Sequence, residues 1–151
     1  MKQFYKDGLQ FKCTQCSQCC RGDSGYVFLS KLDLTRLSTY LGLTESDFLQ
    51  QHVRTVPFGD HLRISLLEKP ESDDQFRCEF WQNGCTVYNA RPTQCRTYPF
   101  WHSIMQSEQS WQQEAASCPG IGQKDGYFNS QEIDSLLEIG DPQHLIQLRI
   151  T

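Results

Sequence analysis

The sequence predicts a small α+β domain with helices arranged around a β-hairpin region. Three observations predict it. Capping patterns open amphipathic runs at Ser30, Thr44 and Asn129. Two strand-like segments meet across the turn signal Asn83-Gly84. Nine Phe, six Tyr and three Trp supply one modest core in a chain of 151 residues.

Residues 1–29 carry little periodicity and the densest cysteines. Ser30 with Asp33 makes a capping box, Leu34, Leu37 and Leu41 recur at helical spacing, and Gly42 tolerates the positive φ of a helix stop. Thr44 with Asp47 repeats the box and opens a second helix through Phe48, Leu49 and Val53, which Pro57-Phe58-Gly59-Asp60 breaks. Residues 62–66 have strand character. A polar loop at 69–75 leads into a strand at 76–80, and Asn83-Gly84 turns the chain into 85–88. Pro92 suits the first turn of a short helix carrying Cys95. That helix ends near Tyr98, because Pro99 disfavours helical geometry in the residue before it. Residues 99–105 and 110–114 read as two more strands. Asn129 with Glu132 caps a helix through Ile133, Leu136 and Leu137 up to Gly140, and Asp141-Pro142 starts a last one.

The net charge of −4, with no Lys/Arg cluster to collect phosphates, argues against a nucleic-acid partner. No apolar run is long enough to serve as a secretion signal or a membrane span. The expectation is a cytoplasmic protein away from membranes, in a compartment that keeps thiols reduced. Eight cysteines then need a reason other than disulfides: Cys13, Cys16, Cys19, Cys20, Cys78, Cys85, Cys95 and Cys118.

The run Cys13-x-x-Cys16-x-x-Cys19-Cys20 is the strongest signal in the chain. A two-residue gap lets a tight turn point two sulfurs at one centre, as in zinc knuckles and ferredoxin runs. Four cysteines within eight residues of a segment poor in other apolar side chains do not read as core. Adjacent residues tend to point apart, so three ligands from this loop are expected at one centre, with the other vicinal cysteine facing elsewhere. The spread set Cys78, Cys85, Cys95 and Cys118 leaves its register open. A two-residue turn at Asn83-Gly84 would put Cys78 and Cys85 about 13 Å apart. A wider loop with Phe80 facing Cys85 would bring them to about 7–8 Å. Arg91 and Arg96 flank Cys95, and positive charge beside a helix start favours thiolate. Cys118-Pro119-Gly120 suggests a ligand followed by a turn whose N–H groups can bond to sulfur. The chain is thus expected to be organised by a cysteine-ligated metal centre. Residues 1–125 would form the metal-binding domain and 126–151 a helical extension packed on it.

The stretch from Cys85 through Arg91-Pro92 and Cys95 to Tyr98-Pro99, together with the N-terminal cysteine run, closely resembles the YkgJ-type cysteine-cluster family, a zinc- or iron-chelating group. The helix over 32–43 and the tail Cys118-Pro-Gly-Ile-Gly122 share the likeness, which covers residues 11–122. The resemblance implies eight cysteines arranged as a metal-binding site, matched by the eight above. Members are often labelled iron–sulfur oxidoreductases without an assigned substrate.

His52, His61, His102 and His144 are scattered and read as surface or core residues, with His102, near the Cys95 helix, the nearest to a ligand. Asp73-Asp74 reads as a solvated turn. Tyr88, Tyr98, Phe100 and Trp101 read as core. Three functions fit. The first is an iron–sulfur protein, 4Fe–4S favoured, with a redox, sensing or cluster-handling role. The second is a zinc-stabilised module that binds a protein partner. The weakest is a thiol–disulfide oxidoreductase, because no Cys-x-x-Cys follows a strand and opens a helix.

Overall fold

The computed structural model describes residues 3–14 and 20–149. The fold is α+β, as the sequence predicts. Its described residues form five α-helices and two three-stranded antiparallel sheets. The chain divides into two compact units: Met1–Cys19 with Thr97–Asp141, and Cys20–Arg96 with Pro142–Thr151.

The Cys20–Arg96 unit opens with the short strand β1 (Arg21–Gly22) and then α1 (Lys31–Leu41). Ser30 and Asp33 form the reciprocal capping box, and Gly42 closes the helix at φ 70°, where the missing Cβ makes a left-handed residue inexpensive. Thr44 caps α2 (Glu45–His52) by accepting from the Asp47 N–H. The second helix stops at His52, short of the expected Val53. The β-branched run Val53, Thr55 and Val56 is taken instead by strand β2 (Val53–Phe58). Pro57 therefore stands in a strand and breaks no helix. It is tolerated because β2 is an outer strand in the order β2-β3-β6, where a missing N–H need not cost a ladder bond. Gly59 at φ 67° turns the chain into β3 (His61–Leu66), with Phe58 opposite His61.

The expected polar loop at 69–75 is mostly a strand. β4 (Glu68–Ser72) pairs with β5 (Gln75–Cys78) across the two-residue turn Asp73-Asp74. β1 pairs on the other side of β5. Residues 85–88 do not continue a hairpin strand, because Tyr88–Ala90 is a 3-10 turn. Helix α3 (Thr93–Thr97) follows Pro92 and ends one residue before Tyr98, as expected. β6 (Leu148–Arg149) pairs with the start of β3. The last expected helix is reduced to one 3-10 turn, Pro142–His144. Leu29, Leu37, Phe48, Ile64, Leu66 and Val87 fill this unit's core.

In the other unit neither expected strand forms. Residues 99–105 make turns, and residues 110–114 lie in helix α4 (Glu108–Glu114). Ser107 caps α4 in a reciprocal bond with Ser110, a serine–serine form of the capping box. Helix α5 (Ser130–Ile139) starts at the Asn129–Glu132 box, as expected. Tyr5, Phe11, Phe100, Trp111 and Ile133 form this unit's core. Phe100 stacks on Trp111 with centroids 5.3 Å apart, so it is a core residue here.

Candidate metal centre

β1 runs antiparallel to β5, with Arg21 opposite Arg77 and Gly22 opposite Phe76. One step further, the Cys78 N–H donates to the Cys20 carbonyl at 2.8 Å. The two cysteines therefore face each other across the ladder, with Cβ atoms about 5 Å apart on one side of it. Two thiolates so placed can share an ion to which each binds at about 2.3 Å. This pair joins positions 58 residues apart in sequence, and no local motif announces it.

The Cys78 carbonyl also accepts from the Trp81 N–H at 2.9 Å, which turns the chain sharply. Trp81 then forms an isolated antiparallel bridge with Cys85. The turn between them is Gln82-Asn83-Gly84, with φ 55° at Asn83 and 137° at Gly84. The two-residue hairpin does not form, and Trp81 rather than Phe80 faces Cys85. Thr86 fixes this return by donating its N–H (2.8 Å) and its hydroxyl (2.6 Å) to the Phe80 carbonyl. Cys78 and Cys85 are half-buried against the same core.

Cys95 rides on α3, and the start of that helix is pinned by a buried carboxylate. Asp33 Oδ1 accepts from the Thr93 N–H at 2.9 Å and the Thr93 hydroxyl at 2.7 Å, while Oδ2 accepts from the Ser30 N–H at 3.0 Å. One residue thus caps α1 and anchors α3. Gln94 adds a second anchor: it accepts from the Phe28 N–H at 3.0 Å and donates to the Tyr26 carbonyl at 2.7 Å. Arg91 leans on the Tyr88 ring, 3.9 Å from its centroid, and donates to the Tyr88 carbonyl. Arg96 is held below its ordinary pKa by burial, then by Arg36 and Arg91, with Asp33 opposing them. A group of three guanidiniums therefore belongs to this part of the unit.

In the Met1–Cys19 unit, Cys118 is buried in the core and its N–H bonds to the Glu114 carbonyl at the end of α4. The chain then turns at Pro119-Gly120. The Ile121 N–H returns to the Cys118 carbonyl and the Gly122 N–H goes to the Gln10 carbonyl. Those two amides are therefore committed to carbonyls rather than to sulfur. The segment leading to Cys13 lies against this turn: Phe11 bridges Ile121, and the Lys12 N–H reaches the Gly120 carbonyl at 3.0 Å. The approach is close enough to require glycine. A Cβ on Gly120 would stand 2.4 Å from the Lys12 carbonyl oxygen, and one on Gly126 2.1 Å from that of Phe11. Cys13 itself is exposed.

Cys16 and Cys19 lie outside the described residues. Among the described residues, no three His, Cys, Asp or Glu side chains gather as a set able to hold a metal ion. Three histidines have other partners. His52 Nδ1 meets Glu79 at 2.5 Å, His61 Nδ1 meets Asp60 at 3.1 Å, and His102 Nε2 donates to the Leu137 carbonyl at 2.9 Å. The donor chemistry on offer is sulfur. Motif reading misses Gln94 and Gly126 as supporting residues, and marks Gly120 only as part of the turn after Cys118. Asp33 carries a local signal only as a member of a capping box, which says nothing of its hold on Thr93.

Two cysteines opposite each other on a ladder and others at close turns are sulfur donors of the kind a chelating domain uses. A family model described as CxxCxxCC, "Putative zinc- or iron-chelating domain", matches residues 12–119. The chain belongs to this family and is a metal-binding cysteine domain. No solved structure matches it. No helix among the described residues is long and apolar enough to cross a membrane.

Proposed function

We propose that the eight cysteines serve as thiolate ligands to metal, iron–sulfur in preference to zinc, in a cytoplasmic protein with a redox, sensing or cluster-handling role. The observation that carries this reading is the backbone placement of Cys20 opposite Cys78, with Cys85 one turn further on. Soft sulfur donors admit both metals. An all-sulfur set with His52, His61 and His102 engaged elsewhere suits iron–sulfur chemistry, whereas zinc sites often recruit imidazole. Half-burial of Cys78 and Cys85 against an apolar core supplies the shielding that a redox centre uses. When bound, the group would supply one-electron chemistry. The chain's own residues contribute position: the β1–β5 ladder sets the first sulfur pair, and Asp33 with Gln94 sets the helix bearing Cys95.

Anaerobic purification followed by visible and electron paramagnetic resonance spectroscopy and metal analysis tests the reading. A brown protein containing iron and acid-labile sulfide is expected. A colourless protein with stoichiometric zinc would move the reading to a zinc-stabilised module whose work is protein interaction.

A further inference from the structure

Among the described residues, the second face of the sheet of β2, β3 and β6 contributes nothing to either core cluster, although Val56 and Ser65 on it are buried. Val53, Ile64 and Leu66 turn toward the core, so alternation along the strands sends Arg54, Val56, Phe58, His61 and Arg63 to the other side. Residues 26–28 extend that side, because Phe28 bridges Ser65 on β3 while Val27 and Leu29 join the core. An antiparallel sheet normally presents polar residues to water on its outer face. This one presents aromatic rings and guanidiniums. Tyr26 stacks on Phe28 at 5.4 Å, and Phe28 meets Phe58 edge-on at 6.2 Å. Arg54 lies 4.9 Å from the Tyr26 centroid, and Arg63 lies 3.5 Å from that of Phe58 and 5.1 Å from that of Phe28. Tyr26 keeps 50% and Phe58 46% of its surface exposed.

Polar satisfaction singles out the same face. Among the described residues, four buried side-chain nitrogens lack a hydrogen-bond partner, and three of them are Arg54 Nε, His61 Nε2 and Arg63 Nε. Buried nitrogens of this kind are ordinarily paired. Their clustering beside exposed rings sets this face apart from the rest of the described surface. The charge of that partner follows from the neighbours. Arg54 has Glu68 at 3.6 Å and His61 has Asp60 at 3.1 Å. Arg63 has no ion pair among the described residues. Contact with two rings holds its planar fork in place, and a guanidinium fork of this kind suits a carboxylate. Tyr, Phe and Arg are also the residues that concentrate binding energy at protein interfaces.

We propose that this face docks an acidic segment of a partner protein, with a carboxylate at Arg63 and an apolar neighbour against Tyr26 and Phe58. A polynucleotide is the poorer match. Phosphate tracking needs several free cations; here Arg54 is paired with Glu68, which leaves Arg63 and, opposite His61, Arg149, in a chain of net charge −4. The inference goes beyond the metal reading and does not depend on which metal is held.

The test uses full-length, metal-analysed protein titrated with the peptide acetyl-Glu-Leu-Glu-Leu-Glu-amide, its Gln-for-Glu counterpart and a short oligothymidylate. Amide resonances are followed by NMR. The Glu peptide is expected to shift Tyr26, Phe28, Phe58 and Arg63, to weaken as salt is added, and to bind about tenfold more tightly than the Gln peptide. Arg63→Gln is expected to remove that preference. Phe58→Ala, at an exposed position, is expected to weaken the Glu peptide severalfold and serves if Arg63→Gln does not fold. Equal affinity for both peptides, shifts elsewhere, unaltered affinity in a folded variant, no binding, or tighter binding of oligothymidylate would each overturn the proposal. Metal content measured in the same sample separates that failure from failure of the metal reading.

Discussion

Cys20, Cys78, Cys85 and Cys95 are positioned by pairing: a β-ladder, a tight turn, and a helix start clamped by Asp33. Cys13 and Cys118 are positioned by proximity, where the segment ending at Lys12 passes so close to its neighbours that only glycine fits at Gly120 and Gly126. The first arrangement is specified by hydrogen bonds and tolerates variation in side-chain volume. The second is specified by excluded volume and tolerates almost none. The same residue type is thus held by two kinds of constraint, and each fails in its own way.

The largest expected effect comes from the cysteines themselves. Metal binding and folding are coupled in small thiolate sites, so Cys78→Ser and Cys118→Ser should each reduce metal content and destabilise the loaded protein by about 4 kcal/mol or more. Chelated protein sharpens the comparison. There Cys78→Ser should be near neutral, because Cys78 is half-buried. Cys118→Ser should still cost roughly 1–2 kcal/mol, because Cys118 is only 7% exposed within an apolar cluster. Denaturant melts with and without chelator make the measurement, and identical behaviour of the two variants after chelation would erase the distinction.

Asp33→Ala should come next, at about 3 kcal/mol, because it strands the Thr93 and Ser30 donors around a fully buried position. At this chain length that is a fall in melting temperature of about 6–12 °C. If the pin holds the Cys95 helix in register, Asp33→Asn should recover part of the metal content as well as part of the stability. Metal content equal to wild type in Asp33→Ala would show that α3 is held by other contacts.

These pinning residues mark where sequence reading succeeds and where it stops. The boxes at Ser30–Asp33 and Asn129–Glu132 were legible because a cap is closed by side chains three residues apart. Ser107–Ser110 uses the same geometry with an unusual partner, so the local pattern over 110–114 suggests a strand where a helix forms. Val53 carried two signals, continuing the apolar spacing of α2 and opening a β-branched run, and tertiary pairing with β3 decided for the strand. The cysteines were legible as a set, since eight of them stand in a chain with no other evident use for so many. Their partners were not legible. Cys20 opposite Cys78 is a register fixed by the fold of everything between them, and Trp81 opposite Cys85 depends on a turn one residue longer than Asn83-Gly84 suggests.

The proximity constraint has its own probe. Gly126→Ala would drive a Cβ against the Phe11 carbonyl, and neither backbone can give way cheaply, so a loss of about 2 kcal/mol is expected. Gly25→Ala is the matched change in the paired region, where the nearest atom is 3.9 Å away. It should be neutral, or slightly stabilising through the unfolded chain. Equal melting of the two variants would mean that the close approach relaxes without penalty.

The smallest effect concerns pH and again belongs to the proximity region. Tyr5 is 6% exposed, and its hydroxyl donates to Asp134 on α5 at 2.7 Å. Burial first, then the bond and charge of Asp134, push its pKa up from 10.0 to about 12. The fold therefore favours the protonated phenol. Its stabilising contribution is complete below pH 10, the ordinary phenol value, and is lost as pH rises toward 12. Stability followed by denaturant melts should decline across that window, by roughly 2 kcal/mol from this group. Tyr5→Phe should cost about 1 kcal/mol at neutral pH and should flatten Tyr5's share of the alkaline decline. Since α5 packs against the same cluster as Cys118, the variant also asks whether that turn needs α5 clamped in place. Unchanged metal content in Tyr5→Phe would confine the clamp to stability, whereas a loss would extend the excluded-volume constraint from the glycines to the helix behind them.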